Sequence, residues 1–67
     1  MITLTINGEP RSFPNTLRVA ELVEQLGLVG KRIAVECNGE IVPRSELPTR
    51  TLADGDKVEI VVAVGGG

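Results

Sequence analysis

Three kinds of group in this sequence are equipped for covalent chemistry or ligation. They are one thiol, Cys37; two carboxylates a residue apart, Asp54 and Asp56; and the carboxyl group of Gly67, which closes the run Gly65-Gly66-Gly67. A thiolate can become a persulfide, paired carboxylates can share a proton or a cation, and a carboxylate on a glycine run can be activated by another protein. The sequence has no histidine, tryptophan or tyrosine. General acid–base work near neutral pH leans on His, and nucleophiles need an activating base beside them, so chemistry at any of these groups calls for a partner.

The setting of each group separates them. Cys37 alternates with Ile33 and Val35 in a strand-like run, which puts it on an inward face as a small buried hydrophobe, and buried thiols are generally inert. Asp54 and Asp56 flank Gly55, the pattern of a turn; two carboxylates without further oxygen ligands make a weak calcium site. Gly65, Gly66 and Gly67 remain. Without Cβ atoms they can lie extended in a narrow slot, and three extended residues span about 10 Å, enough to enter a partner's buried site while a folded body stays outside. A glycine run is equally the composition of an ordinary flexible end, so what surrounds it decides.

The elements that must position this tail are legible. Residues 1–6 alternate, with Ile2, Leu4 and Ile6 on one face, and Asn7-Gly8 turns the chain into a second strand near residues 11–13, a β-hairpin. Val19, Leu22, Val23 and Leu26 form a helical stripe that Gly27 stops; the start is weakly marked, because Arg18 stands where a better capping residue is expected. Residues 33–37 and 40–42 read as a second hairpin around Asn38-Gly39, and one helical turn is expected around Ser45-Glu46-Leu47. Residues 57–64 form the longest strand, with Val58, Ile60, Val62 and Val64 facing the helix and Glu59, Val61 and Ala63 facing away as a surface for partners.

These readings give an α+β fold of ββαββ order ending in a strand: a ubiquitin-like β-grasp in which a mixed sheet packs on one helix and the first and last strands lie side by side and parallel. Residues 1–64 form the domain and 65–67 a flexible tail. At 67 residues the chain holds one core and has little room for a substrate cavity, so a carrier or binding module is favoured over a pocket enzyme. The net charge of −2 gives no basic footprint for nucleic acid, and the run Gly30-Lys31-Arg32 reads as solvated surface. One cysteine makes no internal disulfide, and no leader or long apolar span is seen, so a soluble cytoplasmic protein with no membrane partner is expected.

Taken together, the ββαββ order, residues 35–44 with their Asn-Gly-Glu-Ile-Val-Pro-Arg stretch, the Asp54-Gly55-Asp56 turn and the closing Val64-Gly65-Gly66-Gly67 resemble the thiamine-biosynthesis sulfur carriers, the ThiS family. The Gly-Gly ending is common to ubiquitin-like carriers; the Asn38–Arg44 stretch and the short length point to the thiamine branch. The resemblance implies a protein co-substrate, not an enzyme. An E1-like adenylyltransferase of the ThiF type would use ATP to activate the Gly67 carboxylate, and a sulfur donor such as a cysteine desulfurase system would supply a persulfide. The resulting thiocarboxylate on Gly67 would donate its sulfur to a thiazole synthase of the ThiG type. Gly65 and Gly66 would thread the partner sites, and no cofactor would be bound by the chain itself. Ala63 stands where many relatives carry a bulkier residue, which reduces the apolar surface beside the tail. The alternatives are a sulfur carrier like the small subunit of molybdopterin synthase, whose members are longer and richer in aromatics, and a ubiquitin-like modifier or interaction module.

Overall fold

Positive backbone angles at Asn7 (φ 50°) and Gly8 (φ 85°), and again at Asn38 (φ 52°) and Gly39 (φ 84°), make two tight hairpin turns of the type that Asn-Gly favours. The structure, a computed structural model, describes residues 1–63. The first turn joins β1 (Ile2–Ile6) to β2 (Glu9–Phe13), and the second joins β3 (Ile33–Cys37) to β4 (Glu40–Val42). Between the hairpins lies α1 (Val19–Gln25); after β4 come a 3-10 turn at Arg44–Glu46 and the last strand, β5 (Lys57–Val62). The sheet therefore has five strands, the five that the sequence pattern marks, although the ββαββ order names only four of them.

The strands lie in the order β2-β1-β5-β3-β4. β5 is thus central: parallel to β1, with Thr5 opposite Lys57 and Ile6 opposite Val58, and antiparallel to β3 from Ile33–Val62 to Cys37–Val58. The expected parallel contact of first and last strands is present. β2 begins two residues earlier than the sequence pattern places it. It is an edge strand, where Pro10 removes no ladder bond that a central strand would need, so proline does not end it.

One face of the sheet is buried against α1. Leu4, Ile6, Val35, Cys37, Val42, Val58 and Ile60 point inward and meet Val19, Leu22 and Val23 of the helix, with Phe13, Leu17 and Leu52 closing the sides. Burying a Leu fully is worth about 1.5–3 kcal/mol, and Leu4, Leu22 and Leu52 are each fully buried. Val62 is a correction. It falls on the inward side of β5, yet it is 39% exposed and outside this cluster. Seven helical residues span about 10 Å whereas six strand residues span about 20 Å, so α1 cannot cover β5 to its end. Val64, the next inward position of the sequence pattern, lies outside the described residues.

The helix start has its own explanation. Val19 and Ala20 donate their N–H groups to the carbonyls of Arg50 (2.9 Å) and Leu47 (2.9 Å), and Glu21 Oε1 accepts the N–H of Arg18 (2.8 Å). Backbone carbonyls thirty residues downstream do the work of a capping side chain, which no local motif announces.

Candidate functional site

The site is the end of β5 and the ground around it, since this strand leads into the glycine tail. Three clamps hold β5 in the centre of the sheet. Along β3 the antiparallel ladder continues one residue past the strand, where Ala63 donates to the carbonyl of Arg32 (2.9 Å). On the opposite side the β1 ladder stops at Ile6–Val58, and the side chain of Asn7 takes over: Ile60 N–H donates to Asn7 Oδ1 (2.8 Å), and Asn7 Nδ2 donates to the Ile60 carbonyl (3.1 Å). A side-chain amide here copies a strand's backbone and prolongs the sheet toward the tail. At the strand's start, Asn38 donates to Asp56 Oδ1 (3.0 Å) and accepts from Lys57 N–H (2.9 Å).

The Asp54-Gly55-Asp56 segment is the turn expected of it. Asp54 Oδ1 accepts the N–H of Thr3 (2.7 Å), Asp56 Oδ2 accepts that of Ala53 (2.8 Å), and Gly55 has φ 89°. Partial burial pulls the Asp56 carboxyl upward, but the bonds from Ala53 and Asn38 outweigh it and hold the group below the usual aspartate value. Both carboxylates thus serve the backbone, and among the described residues no group of acidic, His or Cys side chains is arranged to hold a metal ion.

Cys37 is 1% exposed, on the inward face beside Val35, and burial, helped by the nearby Asp56 charge, pushes its thiol up. A thiol that resists ionisation and is shut from solvent is a poor sulfur acceptor. Cys37 pairs with Val58, at the opposite end of β5 from Ala63.

Glu59, Val61 and Ala63 are all exposed and share the open face of the sheet, as their alternation with Val58 and Ile60 requires. Val61 is 63% exposed and stands directly opposite Ala34 of β3; Ile41 of β4, 75% exposed, stands opposite Glu36 of β3. Two arginines border this ground: Arg32 and Arg44 line a shallow hollow with Ile33, Ala34, Val61 and Ala63. Arg32 and Lys31 are exposed, in keeping with a solvated run, but Arg32 also stands at the root of the tail. Arg44 and the Asn7 clamp escaped sequence reasoning; an Asn at a turn signals only the turn, and nothing local says which strand its amide will reach. Gly65, Gly66 and Gly67 lie outside the described residues.

The ThiS family profile matches residues 4–67. The chain belongs to the ThiS family. Its relatives include the sulfur carrier protein ThiS of Thermus thermophilus, 43% identical over 63 residues that cover 92% of this chain and 95% of that protein. A crystal structure of the thiamine biosynthesis protein ThiS from Geobacter metallireducens superposes with a TM-score of 0.83 at 36% identity, covering 98% of this chain and all of that one. The thiazole synthase of Paramagnetospirillum magneticum is 47% identical over 64 residues, 96% of this chain, but the chain spans only 20% of that protein's length. The ThiS family is that of the thiamine-biosynthesis sulfur carriers, and the mixed five-stranded sheet on one helix is its β-grasp fold. Among the described residues no helix is long and apolar enough to cross a membrane.

Proposed function

We propose that this chain is a sulfur carrier whose working group is the carboxyl of Gly67, with Gly65 and Gly66 as the segment that enters partner sites. The observation that carries the reading is the family match, which runs through the three glycines to residue 67. The geometry supports it: β5, which leads to the tail in sequence, is the central strand of the sheet, held by β3, β1 and Asn7.

A carboxylate does not accept sulfur directly, because its oxygen is a poor leaving group. An adenylating enzyme of the ThiF type would convert the Gly67 carboxylate to an acyl-adenylate at the expense of ATP, with release of pyrophosphate. The outer sulfur of a persulfide, supplied by a cysteine desulfurase system, would then displace AMP to give an acyl disulfide. A second thiol of the donor system would attack the donor sulfur of that S–S bond, forming a disulfide there and releasing the thiocarboxylate, which would donate its sulfur for thiazole formation by a thiazole synthase. A thiazole synthase partner draws support from the two thiazole synthases that contain a segment similar to almost the whole of this chain. In this cycle the chain is a co-substrate, the enzymes do the catalysis, and the reducing cytoplasm is the natural compartment for its thiol chemistry.

The test is ATP–pyrophosphate exchange by the adenylating enzyme from the same cell. The full chain should support exchange, while a chain lacking Gly67 or extended by one Leu should support less than a hundredth of it. One residue's length, about 3.5 Å, removes the carboxylate from attack distance, and an added side chain meets walls shaped for glycine. Exchange by the truncated chain at the full rate would overturn the reading.

A further inference from the structure

The inward side of the sheet is left open at the end where β5 runs out. α1 stops at Gln25 and the 3-10 turn at Arg44–Glu46 borders the other side, so a groove of about 540 Å³ remains between them. Small-ligand sites occupy about 300–1,000 Å³, so the groove is large enough to hold a short segment of chain. Its apolar lining is continuous: Val23, Val35 and Val42 belong to the buried core, and Leu28, Ile33 and Leu47 are partly buried against it. Lys31, Arg32 and Arg44 also line it, all exposed, and among the described residues Glu24 is the one acid that does. The ion pair found among the described residues joins Arg50 to Glu40, so no described carboxylate engages these three cations. An apolar hollow with cations at its lip suits an apolar group that ends in an anion.

The chain carries such a segment at the groove's border. Ala63 donates its N–H to the Arg32 carbonyl (2.9 Å), which fixes the point from which residues 64–67 set out. Arg32 and Arg44 line both this groove and the hollow beside Ala63, so one leads into the other. Strand alternation gives Val64 the same side as Val58 and Ile60, the side on which the groove opens. Four residues reach at most about 14 Å, and glycines turn as sharply as the path requires. We infer that the groove houses the chain's own segment Val64–Gly67, with Val64 against Leu28 and Ile33 and the Gly67 carboxylate among Lys31, Arg32 and Arg44. The inference rests on the carrier reading in taking the Gly67 carboxyl as the free end of the chain. Ordering three glycines is costly in entropy, so the seated tail stands in balance with a released one, and a partner that binds the extended tail draws on the latter. The groove thereby competes with partner sites for the same carboxylate, and it does so from the side of the sheet opposite Glu59, Val61 and Ala63.

The experiment is nuclear magnetic resonance on the free full chain, with no partner present. Cross-peaks are sought between the Val64 methyls and those of Leu28, Ile33 and Leu47, in the wild type and three variants. Arg32→Gln, Arg44→Gln removes charge at the lip; Ala20→Leu fills the groove from its helix wall; Arg11→Gln, Lys57→Gln removes the same charge away from it. The wild type should show the cross-peaks at low salt, and they should weaken roughly fivefold in the first two variants and in 0.5 M sodium chloride. The third variant should match the wild type. Absence of the cross-peaks in the wild type overturns the inference, as does their persistence in both groove variants. Cross-peaks that grow with protein concentration, or that join differently labelled copies, also overturn it and give the groove to a second copy. The exchange assay on Gly67 tests the carrier reading separately, so either can fail while the other stands. The exposed arginine pair keeps the test open if Ala20→Leu does not fold.

Discussion

The two faces of β5 are built from alternate residues of one strand, yet they are held to different standards. Val58 and Ile60 are almost wholly buried, within the apolar cluster that includes Val19, Leu22 and Val23 of α1. Glu59, Val61 and Ala63 carry exposed apolar surface and an acid opposed to another acid, an arrangement that contributes little to the fold. The inward face is closed by the chain's own packing, and the outward face leaves Val61 exposed. Substitutions should therefore divide cleanly, with inward changes moving stability and outward ones moving association.

The largest stability effect is expected from Leu22→Ala, which empties a fully buried position at the centre of the helix stripe. A loss of about 2–5 kcal/mol in urea unfolding is expected, enough to unfold much of so small a domain. A loss below 1 kcal/mol would mean that the core is looser than its burial implies.

Asp56→Asn should cost about 1–2 kcal/mol near neutral pH, since a charged acceptor serving Ala53 N–H and Asn38 Nδ2 becomes a neutral one. Because the folded carboxyl is held below its unfolded value of about 3.9, its contribution is fully present above that pH and is lost as the pH falls through the lower, folded value. The gap between wild type and variant should accordingly close in acid, which unfolding curves between about pH 3 and 7 will show. A gap that widens in acid would reverse the sign of the assignment.

Cys37→Ala should cost less, about 1 kcal/mol, and leave sulfur loading of the tail unchanged, because the thiol is packing beside Val35. A folded variant that no longer loads would make the cysteine chemical. Smallest in stability is Val61→Glu, expected to change the unfolding midpoint hardly at all while weakening the adenylating enzyme's grip severalfold by calorimetry. Equal binding would move that interface off this face.

The division between faces also describes how far the sequence could be read. Strand alternation placed Leu4, Ile6, Val35, Cys37, Val58 and Ile60 inside and Glu59, Val61 and Ala63 outside, and both Asn-Gly pairs formed the hairpin turns expected of them. The family resemblance drawn from residues 35–44 and the glycine ending agrees with the family match. What escaped the sequence depends on long-range geometry. The carbonyls of Leu47 and Arg50 cap α1, the amide of Asn7 reaches Ile60, and Arg44 comes round from the 3-10 turn to border the root of the tail. Pattern periodicity also carries no information on how far a helix extends over a strand, which is why Val62 was expected inside and stands half outside.

The central claim, that sulfur is carried on Gly67, is tested most directly by intact-protein mass spectrometry after incubation with ATP, the adenylating enzyme and a sulfur donor. The account predicts a mass gain equal to one exchange of oxygen for sulfur, which fragmentation places on Gly67, and no gain in a chain lacking that residue. Sulfur found on Cys37, or a truncated chain modified as readily as the full one, would contradict it.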